Sequence, residues 1–194
     1  MSEYGPDVVL VRHGETEWSL TGRHTGRTEI DLTETGEAQA KAASVLIGPE
    51  QFDLVLCSPR RRAQHTARLA GLVPYEIDDD LSEWDYGDFE GLTSAQIHET
   101  RPGWDIWHGP WPGGETADQV AERAGRVVAR ALEAGPGARV ALVAHGHLLR
   151  VLATRWTELS VTAGRRLALD TAAVCRLGWE HDTRVIHRWD LVPQ

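Results

Sequence analysis

The sequence predicts an α/β protein in which helices cover both faces of a mostly parallel central sheet, giving three layers. The first observation is that short apolar segments suited to buried strands alternate with longer segments of helical periodicity. The second is that three apolar segments run directly into reactive or anion-binding residues, in the stretches LVRHGET, LCSPRRRAQHTA and LVAHGHLLR. Because the carboxyl ends of parallel strands meet at one edge of a sheet, these residues are expected to line one crevice.

A long loop separates the first predicted strand from the first long helix. Residues 7–11 form the strand, and residues 14–32, rich in Gly and Thr, form a loop with room for one turn of helix. Thr33 is placed to cap a helix that continues to about residue 47, where Gly48-Pro49 ends it. The predicted apolar face of this helix consists of Ala38, Ala42, Val45 and Leu46.

A second strand and helix repeat the opening pattern. Residues 53–57 are a short strand that runs into Ser58-Pro59, and residues 60–70 are a helix. One side of this helix carries Ala63, Thr66, Ala67 and Ala70. Residues 75–92 leave room for a short strand before the irregular segment LSEWDYGDFEGL.

Two capping boxes predict the next helices. Thr93 with Gln96 begins a short helix, and Thr116 with Gln119 begins a longer one. The Trp-rich turn between them, WDIWHGPWPGGE, is expected to pack against the core rather than to stack on a ligand.

The last part of the chain adds a strand, a helix and a hairpin. Residues 139–144 form the strand, and the helix after it has an apolar face made of Leu148, Leu149, Val151, Leu152 and Trp156. Residues 172–179 and 184–189 are predicted to close the sheet as an antiparallel hairpin.

Length, charge and cysteine content restrict the function. The 194 residues carry a formal charge of −9 and contain no linker or charge block, which predicts a single domain over residues 1–194. The acidic balance argues against binding to nucleic acid or to an anionic membrane, since both need a basic surface. No apolar run approaches the roughly 20 residues of a membrane span, and the N-terminal MSEYGPD is unlike a signal peptide, so a cytoplasmic protein is expected. Cys57 and Cys175 lie in apolar segments, which favours core thiols over a disulfide or a metal site.

The strand ends carry the candidates for chemistry. A single histidine after a strand is more often structural, but His13 and His145 follow two strands in equivalent positions, which favours catalysis. Three successive arginines at a helix start oppose the helix dipole, a placement that makes sense if one of them, best Arg62, faces an anion. The candidates are Arg12, His13, Ser58, Arg62, His145 and His147.

His145 and His147 also raise the question of a metal site, because imidazole is the commonest zinc ligand. On a strand-to-helix turn two such side chains can point in different directions, and no carboxylate or cysteine accompanies them at a ligand spacing. The sequence therefore predicts no metal and no cofactor.

Histidines, arginines and an acid in one crevice suit phosphoryl transfer. A neutral imidazole can attack phosphorus, arginine forks bind phosphate oxygens, and a carboxylic acid can protonate the departing alkoxide. Guanidinium groups can also supply the charge stabilisation that metal ions supply elsewhere.

Five motifs occur in a recognisable order between about residue 8 and residue 150. They are LVRHGETEW, GRHTG, SPRRRAQHTA, LSEWDYGDFEG and AHGH. Together they resemble the histidine phosphatase superfamily, in its phosphoglycerate mutase-like branch, and the resemblance implies a phosphoglycerate mutase-like fold. In that family the first motif carries the nucleophilic histidine, the second is a phosphate loop, the fourth carries the acid and the last carries a second histidine.

The resemblance implies a role for each matching residue. His13 would be the nucleophile that becomes phosphohistidine, and Glu83 would be the proton donor. The groups that bind the phosphoryl oxygens and stabilise the transition state would be Arg12, Arg62 and His145. The implied substrate contacts are Ser19, Thr25 and Gly26, with Arg23, Ser58 and Arg150 as weaker candidates.

The same resemblance leaves two activities open, a phosphatase and a cofactor-dependent phosphoglycerate mutase. Ser19 stands where mutases commonly have Asn, and His24 stands where they have an aromatic residue. Residues 91–116 are fewer than the insertion that helps mutases to exclude water, and about five residues follow the last predicted strand where mutases have an extended tail. These departures favour a metal-independent phosphoric monoester hydrolase of the histidine acid phosphatase type, acting on small sugar or acid phosphates.

Two alternatives from other functional classes are a catalytically silent binding protein and a metal-dependent hydrolase. A silent member of the family would be expected to lack His13, Glu83 or His145, and all three are present. The expected ligand is a small phosphorylated metabolite. An apolar edge strand in the C-terminal hairpin would also allow a homodimer.

Overall fold

The computed structural model describes residues 3–49 and 51–192, and within them six strands form one sheet. The strands are Asp7–Arg12 (β1), Leu54–Cys57 (β2), Glu76–Ile77 (β3), Arg139–Ala144 (β4), Val174–Glu180 (β5) and Thr183–Leu191 (β6). Their order is β3-β2-β4-β1-β5-β6. The first four pair in parallel, and β5 pairs antiparallel with both β1 and β6. The predicted mostly parallel sheet, with a closing antiparallel hairpin, is therefore confirmed.

The helices follow the predicted order along the chain. They are Glu17–Leu20 (α1), Glu34–Ile47 (α2), Arg61–Leu69 (α3), Ser94–Thr100 (α4), Ala117–Leu132 (α5) and Gly146–Trp156 (α6). The caps at Thr33, Thr93 and Thr116 are made as predicted, the last two as complete capping boxes. Of the helices that are described, none is long and apolar enough to cross a membrane.

Helices cover both faces of the sheet because its central strands are buried on both sides. Alternate residues of β1 face opposite layers: Leu10 packs in a cluster with residues of α5 and α6, and Val11 packs in a cluster with residues of α2 and α3. The predicted apolar face of α6 is fully buried in the first of these clusters. Trp84, Trp104 and Trp107 are buried there too, which confirms their expected role in packing.

The predicted apolar face of α2 is wrong. Its buried residues are Gly36, Ala40, Ala43 and Ile47, whereas Ala38 and Val45 are exposed, Val45 to 80%. The physical reason is a close approach to the loop after β1, because a Cβ atom on Gly36 would lie 2.1 Å from the carbonyl oxygen of Glu15. This contact at Gly36 fixes the rotation of the helix about its axis. The residues on the same side of the helix as Gly36 are therefore the ones that point into the core.

The two cysteines lie in the core. Cys57 in β2 and Cys175 in β5 are buried free thiols, and burial raises the pKa of each to about 12. At one edge of the sheet, β6 carries Arg184, Arg188 and Asp190, charges of the kind that discourage edge pairing. The homodimer stays a prediction.

The register of the sheet places the reactive residues at one edge. Arg12 pairs with Ala144 and Cys57 pairs with Val143, so β1, β2 and β4 end at the same level. The hydrogen-bond ladder between these strands continues one residue further. The backbone N–H of His13 donates to the carbonyl oxygen of Ala144, and the N–H of Ser58 donates to the carbonyl oxygen of Val143. The three motifs that end these strands therefore meet, as predicted.

Candidate active site

His13 is a neutral imidazole with one nitrogen available for reaction. The side chain is 5% exposed, and its Nδ1 lies 2.8 Å from the carbonyl oxygen of Gly14. A carbonyl oxygen only accepts, so Nδ1 carries the proton and Nε2 carries the lone pair. Burial, together with the positive charges of Arg62 and Arg12, lowers the pKa of His13 well below 6.5. The Nε2 lone pair of the neutral imidazole is therefore free, and the lowered pKa of His13 extends this neutral state to lower pH.

Two arginines flank this imidazole from different elements. Arg12, the last residue of β1, donates from Nη1 to the carbonyl oxygen of Leu169. Arg62, in the first turn of α3, is fully buried, as predicted, and donates to the carbonyl oxygens of Thr25, Gly26 and Thr28 at 2.9–3.0 Å. Its two arginine neighbours lie at the surface side of the helix and pair with Glu29.

His145 is a second neutral imidazole, at the beginning of α6. It is fully buried, its ring centre lies 5.2 Å from that of His13, and its Nε2 lies 2.7 Å from Oγ of Ser58. Burial and the charge of Arg62 lower its pKa well below 6.5. Its Nδ1, together with Nε of Arg12 and Nε of Arg62, has no hydrogen-bond partner among the described residues.

Those three buried nitrogens indicate what the site can bind. A buried donor without a partner costs about 1–3 kcal/mol, so an anion that accepts from all of them would be stabilised. Each arginine Nε is a donor, and Nδ1 of His145 is a donor when Ser58 donates to Nε2. A phosphoryl group has enough oxygens to accept from all three.

Glu83 lines the cleft, and its carboxylate is held by backbone N–H groups. Its Oε1 accepts from the N–H groups of Trp84 and Leu148, at 2.8 and 2.9 Å, and its Oε2 accepts from that of His147 at 3.0 Å. Two of these donors belong to the first turn of α6, where the helix dipole favours an acidic group. The side chain is 8% exposed and reaches the cleft.

The cleft between these groups has a volume of about 190 Å³. The residues that line it are Arg12, His13, Ser19, Gly22, Arg23, His24, Thr25, Glu83, Tyr86, Gly146, His147, Arg150 and Leu169. Four of the predicted substrate contacts, Ser19, Thr25, Arg23 and Arg150, therefore border it. Arg150 lies over the ring of Trp107 at 4.9 Å and donates from Nε to the carbonyl oxygen of Gly164. A larger surface groove of about 650 Å³ lies far from these residues, between the end of α2 and β3.

Ser58 and Gly26, two of the predicted substrate contacts, do not line the cleft. Ser58 is fully buried, and its hydroxyl bonds to the imidazole of His145. Gly26 is buried behind the cleft wall, where its N–H donates to the carboxylate of Glu90 and its carbonyl accepts from Arg62. Both backbone groups of Gly26 are thus occupied within the protein.

Three rings, those of His24, Tyr86 and His147, lie together in the wall of the cleft. The centre of the His24 ring lies 4.7 Å from that of Tyr86, and the Tyr86 hydroxyl lies 2.7 Å from Nδ1 of His147. Burial lowers the pKa of His24 to about 4 and that of His147 well below 6.5, and it raises the pKa of Tyr86 well above 10. All three are therefore neutral, so Tyr86 donates and Nε2 of His147 keeps its hydrogen.

The two histidines of AHGH are held by different partners. His145 is bound by Ser58 and His147 is bound by Tyr86, on different sides of the turn. In the part of the chain that the structure describes, no group of three or more His, Cys, Asp or Glu side chains is arranged to hold a metal ion.

Sequence reasoning also missed two residues that hold the site together. Glu90 accepts from the N–H groups of Gly26 and Thr28, and Arg123 donates to the backbone around Glu83. Glu90 stands inside the motif LSEWDYGDFEG and could have been found there. Arg123 lies in a long amphipathic helix, where an arginine is ordinarily at the surface, and only its burial at 7% exposure reveals it.

Comparison with known proteins gives consistent matches over most of the chain. A family model described as the histidine phosphatase superfamily (branch 1) matches residues 8–192. An acid phosphatase of Mycobacterium tuberculosis is 48% identical over 91% of this chain and 88% of its own length. A sedoheptulose 1,7-bisphosphatase of Saccharomyces cerevisiae is 33% identical over 83% of this chain and 71% of its own length.

Mutases and solved structures match as well. A 2,3-bisphosphoglycerate-dependent phosphoglycerate mutase of Cytophaga hutchinsonii is 32% identical over 80% of this chain and 79% of its own length. The solved structure of the open reading frame Rv3214 from Mycobacterium tuberculosis has a TM-score of 0.93 and 46% identity, and the match covers 97% of this chain and 99% of that one.

Proposed function

The chain belongs to the histidine phosphatase superfamily, and on that premise we propose that it is a metal-independent phosphatase of small phosphate monoesters, sugar or acid phosphates, that works through a phosphohistidine. The observation that carries the proposal is the state of His13. Its Nδ1 is tied to a backbone carbonyl, its Nε2 holds the lone pair, and the two arginines beside it keep it neutral.

In the first half-reaction Nε2 of His13 attacks phosphorus in line with the leaving oxygen. The N–P bond forms as the P–O bond to the alcohol breaks, and the electron pair of that bond leaves with the oxygen. Glu83 gives a proton to this oxygen, so the product is a neutral alcohol. The proton is best placed on Oε2, which accepts one backbone hydrogen bond where Oε1 accepts two.

In the second half-reaction a water molecule attacks the phosphohistidine. Glu83, now a carboxylate, takes a proton from the water as the new P–O bond forms and the N–P bond breaks. Nε2 of His13 recovers its lone pair and inorganic phosphate leaves.

Charge on the transferred phosphoryl group is stabilised by groups that the fold positions in advance. Arg12, Arg62 and Nδ1 of His145 supply buried donors, and none of them needs to be reoriented when the reaction begins. Three such donors provide the charge stabilisation that the proposed reaction requires from the protein.

Hydrolysis is favoured over mutase activity by what surrounds the cleft. Residues 91–116 hold α4 and a Trp-rich turn, whose Trp104 and Trp107 are each 5% exposed and pack into the core. This segment is therefore committed to packing, and the cleft stays accessible to the water that hydrolysis needs. The acid phosphatase relative is also more similar to this chain than the mutase relative is, at 48% against 32% identity.

The proposed substrate is a small metabolite in the cytoplasm. A cleft of about 190 Å³ with Arg23 and Arg150 at its wall suits a small anionic ester. The net charge of −9 is unfavourable for nucleic acid or an anionic membrane surface, and two free buried thiols fit a reducing compartment.

The experiment is a screen of phosphate esters with the wild type, a His13→Ala variant and a His65→Ala control. The esters include an aryl phosphate, 3-phosphoglycerate, and the fructose and sedoheptulose bisphosphates. Wild type and control should release phosphate from at least one ester, and His13→Ala should lose at least about 10³-fold of the activity. His65 is a suitable control because it lies on α3 at 37% side-chain exposure, outside the cleft.

Two results would contradict the proposal. Full activity in His13→Ala would remove the nucleophile assignment. Isomerisation of phosphoglycerate with a bisphosphoglycerate primer, without release of phosphate from any ester, would instead show a mutase.

Trapping the intermediate is a second test. Quenching the wild-type reaction in alkali should trap a phosphoenzyme that carries the labelled phosphoryl group, and acid should then release that group as phosphate. His13→Ala should not form this phosphoenzyme.

A further inference from the structure

The segment that carries Glu83 is tied to a buried ion pair on the opposite side from the cleft. Nε of Arg123 donates to Oε1 of Glu115 at 2.8 Å, and Nη2 donates to Oε2 at 2.9 Å, which makes a two-bonded pair. Arg123 is 7% exposed and the Glu115 side chain is 25% exposed. Neither residue lines the cleft.

The remaining donors of Arg123 are spent on the backbone of this segment. Nη1 donates to the carbonyl oxygens of Asp80 and Ser82, and Nη2 donates to that of Glu83 at 3.1 Å. A guanidinium has five N–H groups, and here all five have an acceptor. Three of the five bonds hold the main chain at Glu83 or just before it.

Glu115 holds the same segment just after Glu83. Its Oε2 accepts from the N–H of Asp85 at 2.9 Å, and its carbonyl oxygen accepts from the indole N–H of Trp84 at 2.8 Å. The main chain on both sides of Glu83 is therefore fixed to one ion pair, which we name the Arg123–Glu115 clamp.

The segment needs such a clamp because no sheet ladder supports it. Between the two short 3₁₀ turns at Asp79–Leu81 and Gly87–Phe89 the backbone is irregular. His13 and His145, by contrast, directly follow strands of the central sheet. Removing the two charges from water costs free energy that offsets their attraction, so the pair adds little to stability. Its contribution is the arrangement of the chain around Glu83 that its hydrogen bonds fix.

We infer that Arg123 and Glu115 are positioning residues for proton transfer at Glu83. The inference rests on the proposed function. The clamp holds the main chain that carries the Glu83 carboxyl, and none of its hydrogen bonds reaches the nucleophile or the phosphate-binding donors. A misplacement of about 1 Å at a reacting group costs about 10²-fold in rate.

Leaving-group dependence separates this role from a general role in folding. An alkyl phosphate has a poor leaving group and needs the proton, whereas a dinitrophenyl phosphate leaves as a stable anion and does not. A displaced Glu83 therefore slows the first step for the alkyl ester alone. A loss of folded protein slows both esters equally.

The experiment measures kcat/KM on both esters for Arg123→Gln, Arg123→Lys and Glu115→Gln. Arg126→Gln is the matched control, since Arg126 lies one turn further along α5 and binds only side chains, those of Asp80 and Glu122, at the surface. In the three clamp variants we expect a loss of about 10²-fold on the alkyl ester and less than about threefold on the aryl ester. The control should change neither rate by more than about twofold.

Glu83→Gln provides the reference. It should lose about 10²–10⁴-fold on the alkyl ester and much less on the aryl ester, and adding Arg123→Gln to it should cause no further selective loss. Equal losses on both esters in every folded clamp variant would overturn the inference. If Arg123→Gln does not fold, the other two variants decide in the same way, because Glu115→Gln keeps the bonds of Arg123 to the backbone and Arg123→Lys keeps the positive charge.

The Glu83 variant and the clamp variants test different roles. If Glu83→Gln slows both esters equally, the proton-donor role in the proposed function is wrong. If Glu83→Gln is selective and the clamp variants are not, the proposed function stands and the clamp has no part in it.

Discussion

The two halves of the proposed site are built by different means. The phosphate half contains His13, Arg62 and His145, and the leaving-group half contains Glu83 and His24. His13 and His145 follow β1 and β4, and Arg62 is on the helix after β2, so a hydrogen-bonded sheet places the phosphate half. Glu83 and His24 lie in loops, and side chains from distant parts of the chain hold that half by bonds to its backbone. The sheet therefore positions the phosphate half. A few side chains position the main chain of the leaving-group half, and the Glu83 carboxylate is bonded in addition to two N–H groups of α6.

The two halves meet at Arg62. Its guanidinium lies beside His13, and the same group donates to three carbonyl oxygens of the loop at residues 25–28. Glu90 holds that loop from the other side through two N–H groups. One buried charge thus holds the wall of the cleft and, in the proposed reaction, would also bind the phosphoryl group.

Of the changes that compare the two halves, Arg62→Gln should therefore give the largest loss. We expect kcat to fall by about 10²–10³-fold, as for the removal of one preorganised transition-state donor. The loop should also loosen, which hydrogen exchange at the amides of Gly26 and Thr28 would detect. A variant with a lost kcat but unchanged exchange would show that Arg62 serves the phosphate half alone.

Arg61→Gln is the matched control for this prediction. Arg61 precedes Arg62 in the same run, but its side chain is 63% exposed and it pairs at the surface with Glu29 and Asp31. Exposed pairs of this kind contribute little, so its activity should remain within about twofold of wild type.

The phosphate half is also the part of the site that the sequence predicts best. A strand that ends in a histidine is visible in the residue pattern, and parallel strands must end at one edge, so His13, Arg62 and His145 follow from local signals and one rule of topology. The same reasoning cannot give the direction of a side chain. Ser58 was therefore expected at the substrate, although its hydroxyl turns inward to His145.

The leaving-group half is harder to predict because its order depends on long-range contacts. The motif around Glu83 is recognisable only by resemblance, and nothing near Arg123 in the sequence indicates that this arginine reaches back to Glu83. The face of α2 was wrong for a related reason, since a contact between Gly36 and the loop after β1 sets its rotation. Periodicity describes an element by itself and does not include the neighbour that turns it.

The response to pH also distinguishes the histidines of the two halves. His13 and His145 have their pKa lowered well below 6.5 by burial and by arginines, whereas burial alone lowers the pKa of His24 to about 4. An ordinary imidazole of pKa 6.5 would be neutral in only about 3% of molecules at pH 5, a loss of about 30-fold. We expect no such loss in kcat/KM at pH 5 from the titration of His13.

Carbon-bound proton shifts of the histidine rings, assigned with single His→Gln variants, would check this prediction. In folded protein His24 should titrate near pH 4 and His13 should not titrate between pH 7 and 5, while denatured protein should titrate near 6.5. The folded pKa values are lowered, so the unfolded state binds more protons below pH 6.5. As the pH decreases below 6.5, the free energy of unfolding should therefore fall by up to about 1.4 kcal/mol per pH unit for each such histidine. Titration of His13 near 6.5 in the folded state would contradict the prediction.

The smallest expected effect comes from a threonine inside the phosphate half. Oγ1 of Thr66 accepts from the N–H of Gly14 at 3.1 Å and donates to the carbonyl oxygen of Arg62 at 2.8 Å. Gly14 is also the residue whose carbonyl holds Nδ1 of His13. Thr66 therefore links the loop of the nucleophile to the helix of the phosphate-binding arginine, by a side-chain bond of the kind that dominates the other half.

Thr66→Val removes this hydroxyl and keeps the shape, so the N–H of Gly14 is left buried without a partner. We expect a loss of about 1 kcal/mol, seen as a fivefold fall in kcat with KM nearly unchanged, and recovery in Thr66→Ser. Thr154→Val is the control, because Thr154 is an equally buried helical threonine whose Oγ1 bonds only to Val151 in its own helix. If both valine variants lower stability alike and leave kcat unchanged, the sheet and helices place the nucleophile without this bond. If only Thr66→Val lowers kcat, the phosphate half also depends on a side-chain tie, and the contrast between the halves is one of degree.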